Sequence, residues 1–193
     1  RSDDWHQYVA VNRKFADAVV AEAKSDDPVV LIQDYHFALL PKMIRERLPQ
    51  ATIITFWHIP WPNREAFSIC PWREELLDGL LGSSIIGFHT RFHCNNFVDT
   101  VDSLLECRVD HDDSTISYHG KLTAVNHYPI SIEWPSHWTQ IQKSIADCRA
   151  HIRAINALPS DRRIGLGVDR LDYTKGILER LHAVERLLET EPR

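Results

Sequence analysis

The chain has 193 residues, of which 44% are hydrophobic and 25% charged. That is the profile of a soluble globular protein with material for one domain and part of another. Lys and Arg number 22 against 27 Asp and Glu, a net charge of −5 with no basic stripe, which argues against nucleic acid as a partner. No apolar run approaches the roughly 20 residues that cross a bilayer, so no membrane partner is expected. Cys70, Cys94, Cys107 and Cys148 lack CxxC spacing and are expected as free thiols in a reducing cytoplasm.

In chain order, Tyr8, Val11, Phe15, Val19 and Ala23 recur at helical spacing and predict a helix over 5–24, which Asp26-Asp27-Pro28 ends. Val29–Ile32, Ala51–Phe56 and Ser84–Phe88 are short β-branched runs of the kind that form parallel strands covered on both faces. Helical patterns separate and follow them: Phe37 to Leu48, Arg73 to Leu81, and Thr90 to Leu105. This β-α-β-α-β-α alternation argues for a doubly wound, mostly parallel sheet. Ser114–Tyr118 and Leu122–Val125 suggest a hairpin. Tyr128–Pro135 reads as a connector, and Ser136 is placed to cap a helix running to about Ala157. Arg163–Val168 predicts another strand and Gly176 onward another helix, so a second βα unit begins near residue 160. Both ends read as interior to a longer protein.

Ligands of open α/β sheets bind beyond the carboxyl ends of the strands. Here the exits carry Asp34-Tyr35-His36, His58-Ile-Pro-Trp-Pro62, His89-Thr90 and Asp169-Arg170-Leu-Asp172-Tyr-Thr-Lys175-Gly176. In the last of these, Arg170 and Lys175 flank a turn that opens a helix, and free helix N–H groups plus two cations suit a pyrophosphate. The alternative is that Arg170 pairs with Asp169 or Asp172. Prolines stiffen the loop that carries His58, whose other reading is a bond to a backbone carbonyl. Asp34 could clamp a hydroxyl or cap the following helix. His89, His93 and Cys94 have metal-like spacing but lack the H-E-x-x-H context, so no metal is assigned. No G-x-G-x-x-G follows any strand, which disfavours a dinucleotide oxidoreductase.

Taken in order, Gln33-Asp-Tyr-His36, Phe56-Trp-His-Ile-Pro-Trp-Pro62, Arg73–Gly82 with Ile86-Gly-Phe-His-Thr90, Tyr128–Ile132 and Gly167–Gly176 resemble glycosyltransferase family 20, the trehalose-6-phosphate synthases. The resemblance spans essentially the whole chain. It implies an α/β, GT-B type fold: a Rossmann-like parallel sheet flanked by helices, with only the start of a second Rossmann-like domain present. Residues 1–135 would be most of the N-terminal, acceptor-side domain. Residues 136–193 would be a linker helix and the start of the donor-side domain. The implied activity is retaining transfer of glucose from UDP-glucose, or another nucleoside-diphosphate glucose, to glucose 6-phosphate, giving trehalose 6-phosphate without metal or other cofactor. A glucosylglycerol-phosphate synthase-like enzyme and a non-catalytic binding homologue are the alternatives.

Residue by residue, the resemblance implies His58, Arg170 and Lys175 as catalytic and donor-binding groups, with Trp5 and Asp34 on the acceptor. The implied partners are nucleotide sugar and phosphorylated sugar, with room for a homo-oligomer. Trp61 and His89 depart from the family's usual Phe and Gln and are expected to border the cleft. The glycine-rich N-terminal loop, an upstream acceptor-phosphate arginine, and the downstream donor loops and nucleoside pocket lie outside this sequence, so these 193 residues alone are expected to be inactive.

Overall fold

The computed structural model describes residues 2–140 and 143–191. They fall into two compact units, Arg1–Ile132 and Glu133–Arg193. In the first unit the elements are α1 (Ser2–Glu22), β1 (Val29–Gln33), a 3-10 turn (Tyr35–Phe37), α2 (Leu40–Arg45), β2 (Thr52–Phe56), α3 (Arg64–Phe67), α4 (Arg73–Leu80), β3 (Ile85–Phe88), α5 (Arg91–Leu104), β4 (Arg108–Asp110), β5 (Thr115–Tyr118) and β6 (Lys121–His127).

The six strands form one sheet in the order β1-β2-β3-β6-β5-β4. β1, β2, β3 and β6 run parallel, while β4 and β5 join antiparallel. The expected hairpin is therefore β5–β6, but β6 also extends the parallel core beside β3. The sheet is mixed, and its α/β class is as expected.

Ile32, Ile53, Ile86, Phe88, Val125 and Ile116 share one face and are buried against side chains of α1, α2, α4 and α5. Val29, Leu31 and Leu122 on the other face are 69%, 67% and 64% exposed. The expectation of strands covered on both faces thus fails for this unit, for a topological reason. Right-handed crossovers between parallel strands laid down in one direction put every helix on the same side. The order β1-β2-β3-β6 never reverses among the described residues, so the helices between these strands share one face.

Two glycines let helices and loops meet closely. A Cβ on Gly79 would lie 2.5 Å from the Ala38 carbonyl oxygen, and one on Gly82 would lie 2.3 Å from the Lys42 nitrogen. Arg45 binds across the same junction, donating to the carbonyls of Gly82, Pro49 and Ala51 and to the Ser84 hydroxyl. Burial of its guanidinium pushes its pKa down. The buried stripe of α1 is Asn12 and Ala16, while Val11 and Phe15 remain about half exposed, so the helix is rotated from the face that apolar spacing suggests.

In the second unit α6 (His137–Gln140), α7 (Ile145–Ile155), a 3-10 turn (Tyr173–Lys175) and α8 (Ile177–Thr190) are formed. The Ser136 hydroxyl accepts from the Thr139 N–H, as its capping role requires. The single helix expected over 136–157 is two, because Ser144 caps a fresh start by accepting from the Asp147 N–H. Residues 141 and 142 of that expected helix lie outside the described residues. Arg163–Val168 is not a strand, and Leu166 and Val168 are 87% and 81% exposed. A strand needs a neighbour for its N–H and C=O groups, and this unit has no second strand among its described residues.

Candidate active site

The register aligns the parallel strand exits along one edge. Gln33 stands opposite Phe56, Phe56 opposite Gly87, and Phe88 opposite His127. Asp34, Trp57-His58, His89 and Tyr128 therefore leave the sheet side by side.

Asp34 has φ 68° and ψ 177°, a conformation that residues other than glycine rarely hold. Its N–H donates to the Phe56 carbonyl at 2.8 Å, and its own carbonyl accepts from Phe37 at 3.3 Å. Its side chain does not cap the 3-10 turn. Instead Oδ1 accepts from the His58 backbone N–H at 3.1 Å. The capping alternative is thereby answered: the carboxylate ties the first strand exit to the second.

The His58 ring does not reach a backbone carbonyl. Its Nε2 lies 2.8 Å from Oε1 of Gln33. The ring stands edge-on to Phe56, with centroids 4.8 Å apart, and 5.7 Å from His89. His89 also packs edge-on against Phe56, at 4.9 Å. Beneath them Gly87 leaves a notch, because a Cβ there would lie 2.9 Å from both the Phe56 and the Tyr128 rings. His89 and His93 do not converge. The His93 ring faces the Trp61 carbonyl at 3.3 Å, and Thr90 caps α5 through the His93 N–H. Burial pushes the Cys94 thiol up to about 11.

Trp5 lies apart from the Asp34–His58 link but is joined to its loop. It stacks on Trp72 at 4.8 Å, nearly parallel, and on Tyr8 at 5.6 Å. The Tyr8 hydroxyl donates to the Tyr35 carbonyl at 2.6 Å and accepts from the Ala38 N–H at 2.9 Å. Burial raises the pKa of that phenol, opposed by the Ala38 N–H and the Asn12 side chain. Asn12, fully buried, donates to the carbonyls of Tyr8 and His36. Trp61, expected at the cleft, is 1% exposed and donates its indole N–H to Thr100. It belongs to the core, because a large ring flanked by two prolines is folded back against Phe67 and Phe97.

Arg170 and Lys175 lie in the second unit. Both acids that could neutralise Arg170 are engaged elsewhere. Asp169 accepts from Arg180 at 2.7 Å. Asp172 accepts from the Thr174 N–H and hydroxyl, each at 2.9 Å. These bonds, and lastly the charge of Lys175, hold the Asp172 carboxyl below its usual range. No ion pair involves the Arg170 guanidinium among the described residues. Gly176, at φ 57°, turns the chain into α8, whose first N–H groups start there.

Residues 1–193 match the family model for glycosyltransferase family 20. Trehalose-6-phosphate synthase of Mycobacterium sp. (strain KMS) is 38% identical over 193 residues, covering 96% of this chain and 39% of that protein. A solved structure described as trehalose-6-phosphate from E. coli bound with UDP-2-fluoro glucose matches with TM-score 0.76 and 30% identity, covering 100% of this chain and 42% of that one. The Candida albicans trehalose-6-phosphate phosphatase N-terminal domain matches with TM-score 0.75 and 29% identity, covering 100% of this chain and 40% of that one. The sheet and its helices are thus an α/β arrangement of GT-B type. The chain belongs to glycosyltransferase family 20. It spans about two-fifths of the length of the relatives it matches.

Proposed function

We propose that this protein is a retaining glucosyltransferase that moves glucose from UDP-glucose, or another nucleoside-diphosphate glucose, to glucose 6-phosphate, forming trehalose 6-phosphate. The observation that carries the reading is that Arg170 pairs with no acid among the described residues, Asp169 being paired with Arg180 instead. A cation so left beside the start of a helix is suited to an anionic ligand. In this reading residues 1–135 are most of the acceptor-side domain, and 136–193 are a linker helix and the start of the donor-side domain.

The chemistry follows from charge. As the bond between the anomeric carbon and the diphosphate oxygen breaks, negative charge grows on the departing diphosphate. Arg170, Lys175 and the N–H groups of α8 stabilise it most at the transition state. The acceptor hydroxyl forms the new bond and passes its proton to a departing phosphate oxygen, so no pair of carboxylates at glycosidase spacing is required. His58 meets a hydroxyl of the donor sugar. Asp34 uses its second oxygen, which accepts no hydrogen bond among the described residues, for acceptor hydroxyls, and Trp5 lines the acceptor pocket. We place the reaction in the cytoplasm, in keeping with four free cysteines.

The test is UDP release by the full-length protein over a panel of phosphorylated acceptors that includes glucose 6-phosphate and glycerol 3-phosphate. Turnover is expected with glucose 6-phosphate. Arg170→Ala and Lys175→Ala should each lower kcat by about 100-fold or more. Near-normal turnover in both variants would sink the donor-phosphate assignment. Preference for glycerol 3-phosphate would replace the acceptor.

A further inference from the structure

We infer that Gln33 is a positioning residue that holds the His58 imidazole in its Nε2–H tautomer and leaves Nδ1 as a hydrogen-bond acceptor for a sugar hydroxyl. The tautomer is a property of the free protein; the hydroxyl it meets rests on the glucosyltransferase reading above.

The juxtaposition comes from the sheet. Gln33 is the last residue of β1 and pairs across with Phe56, the last residue of β2. Side chains alternate along a strand, so Gln33 and Phe56 project from the same face, and the chain two residues beyond Phe56 returns His58 towards them. The main chain of His58 is pinned by Asp34 at 3.1 Å. Its ring is bounded by Phe56 at 4.8 Å and His89 at 5.7 Å, neither of which forms a hydrogen bond with it. Gln33 Oε1, at 2.8 Å from Nε2, is the one polar partner of the ring among the described residues.

The chemistry of that partner decides the proton. With its amide oxygen facing the ring Gln33 accepts and Nε2 donates, so a neutral imidazole carries a bare lone pair on Nδ1; the opposite amide orientation would reverse both roles. A carboxylate in the same place would orient the ring equally well but would favour the imidazolium, whose two N–H groups can only donate. The neighbouring carboxylate, Asp34, accepts from the His58 backbone rather than from the ring. The arrangement therefore pins the ring with a neutral group and keeps the charged one off it.

The experiment uses the full-length protein labelled with 15N-histidine, read by long-range 1H–15N correlation, with His58 assigned by a His58→Gln variant. The wild type should show the Nε2–H tautomer alone. Gln33→Ala should show both tautomers, and Gln33→Glu should show imidazolium persisting to higher pH. Both variants should lower kcat/KM for the nucleotide sugar by about tenfold, the size of one lost hydrogen bond, with a smaller change in acceptor KM. An Nδ1–H tautomer in the wild type, or the wild-type spectrum in Gln33→Ala, would overturn the assignment. So would the expected spectra with unchanged kcat/KM in both variants. The expected spectra in a protein with no glucosyl transfer would instead sink the functional reading and leave the tautomer standing.

Discussion

Replacing Asp34 by alanine and by glycine separates the strain in its backbone from the bond its side chain makes. At φ 68° and ψ 177° the residue occupies ground that suits glycine and costs others about 1–3 kcal/mol. Its carboxylate accepts from the His58 N–H at 3.1 Å. A hydrogen bond to a charged group contributes about 1.5–3 kcal/mol when buried, and at this half-exposed site nearer about 1–2 kcal/mol. Asp34→Ala loses the bond and keeps the strain, so it should be destabilised by about 1–2 kcal/mol. Asp34→Gly loses the same bond but releases the strain, less about 0.5–1 kcal/mol for the freedom glycine adds to the unfolded chain. The glycine variant should therefore be about 0.5–2 kcal/mol more stable than the alanine variant. Urea unfolding followed by tryptophan fluorescence measures the difference, and acceptor KM should rise in both variants. A glycine variant less stable than the alanine variant by about 0.5–1 kcal/mol, the cost of glycine's freedom alone, would show that no strain is stored at this position.

Two further outcomes concern the scaffold. Gly82→Ala would set a methyl carbon 2.3 Å from the Lys42 nitrogen and 2.4 Å from its Cα, both backbone atoms that cannot rotate away. A loss of about 1–3 kcal/mol or more in the same unfolding assay is expected, and a neutral effect would contradict the close approach. The second outcome is alkaline sensitivity. Burial raises the pKa of Tyr8, and the Asp78 hydrogen bond raises that of Lys42. The folded protein therefore holds these protons to higher pH than the unfolded chain does. The stabilisation is complete below the ordinary values of 10.0 and 10.5 and is lost as pH rises past them. Lys42, with its side chain 43% exposed, should contribute little of this. Burial also pushes the Cys94 thiol from 9.0 to about 11, so its contribution should be lost across the same range. Cys94→Ala should therefore flatten most of the decline in stability between about pH 9 and pH 11, and Tyr8→Phe a smaller part. A decline of the same steepness in the Cys94 variant would refute the assignment.

The strands of the parallel core and most of the helices were legible because their signals are local: β-branched runs, helical spacing and a capping serine. Topology was less so. That β6 would sit beside β3, and that all helices would share one face, depends on the direction in which strands are laid down, which no single segment encodes. Arg163–Val168 has a strand's composition without a partner in its unit, and composition cannot report a missing neighbour. Asp34 and His58 stood out by position at strand exits, but the bond between them needed the 68° φ of Asp34, which nothing in an Asp-Tyr-His tripeptide announces. Trp61 was misplaced because an aromatic in a proline-flanked loop reads as exposed, whereas its ring closes the core. Gln33, Tyr8, Asn12 and Trp72 escaped notice as site supports because each acts on a residue distant in sequence. Only the β1–β2 register would have drawn Gln33 to His58.

The notch at Gly87 bears on how such a cleft could be re-tailored. With Phe56 and Tyr128 seated against the bare backbone of that position, any side chain there must displace two aromatic rings at once. A side chain at residue 87 is thus coupled to the placement of both rings, whereas His89, just past the end of β3, packs against Phe56. Saturation at residue 87 should therefore favour the parent glycine and the smallest side chains.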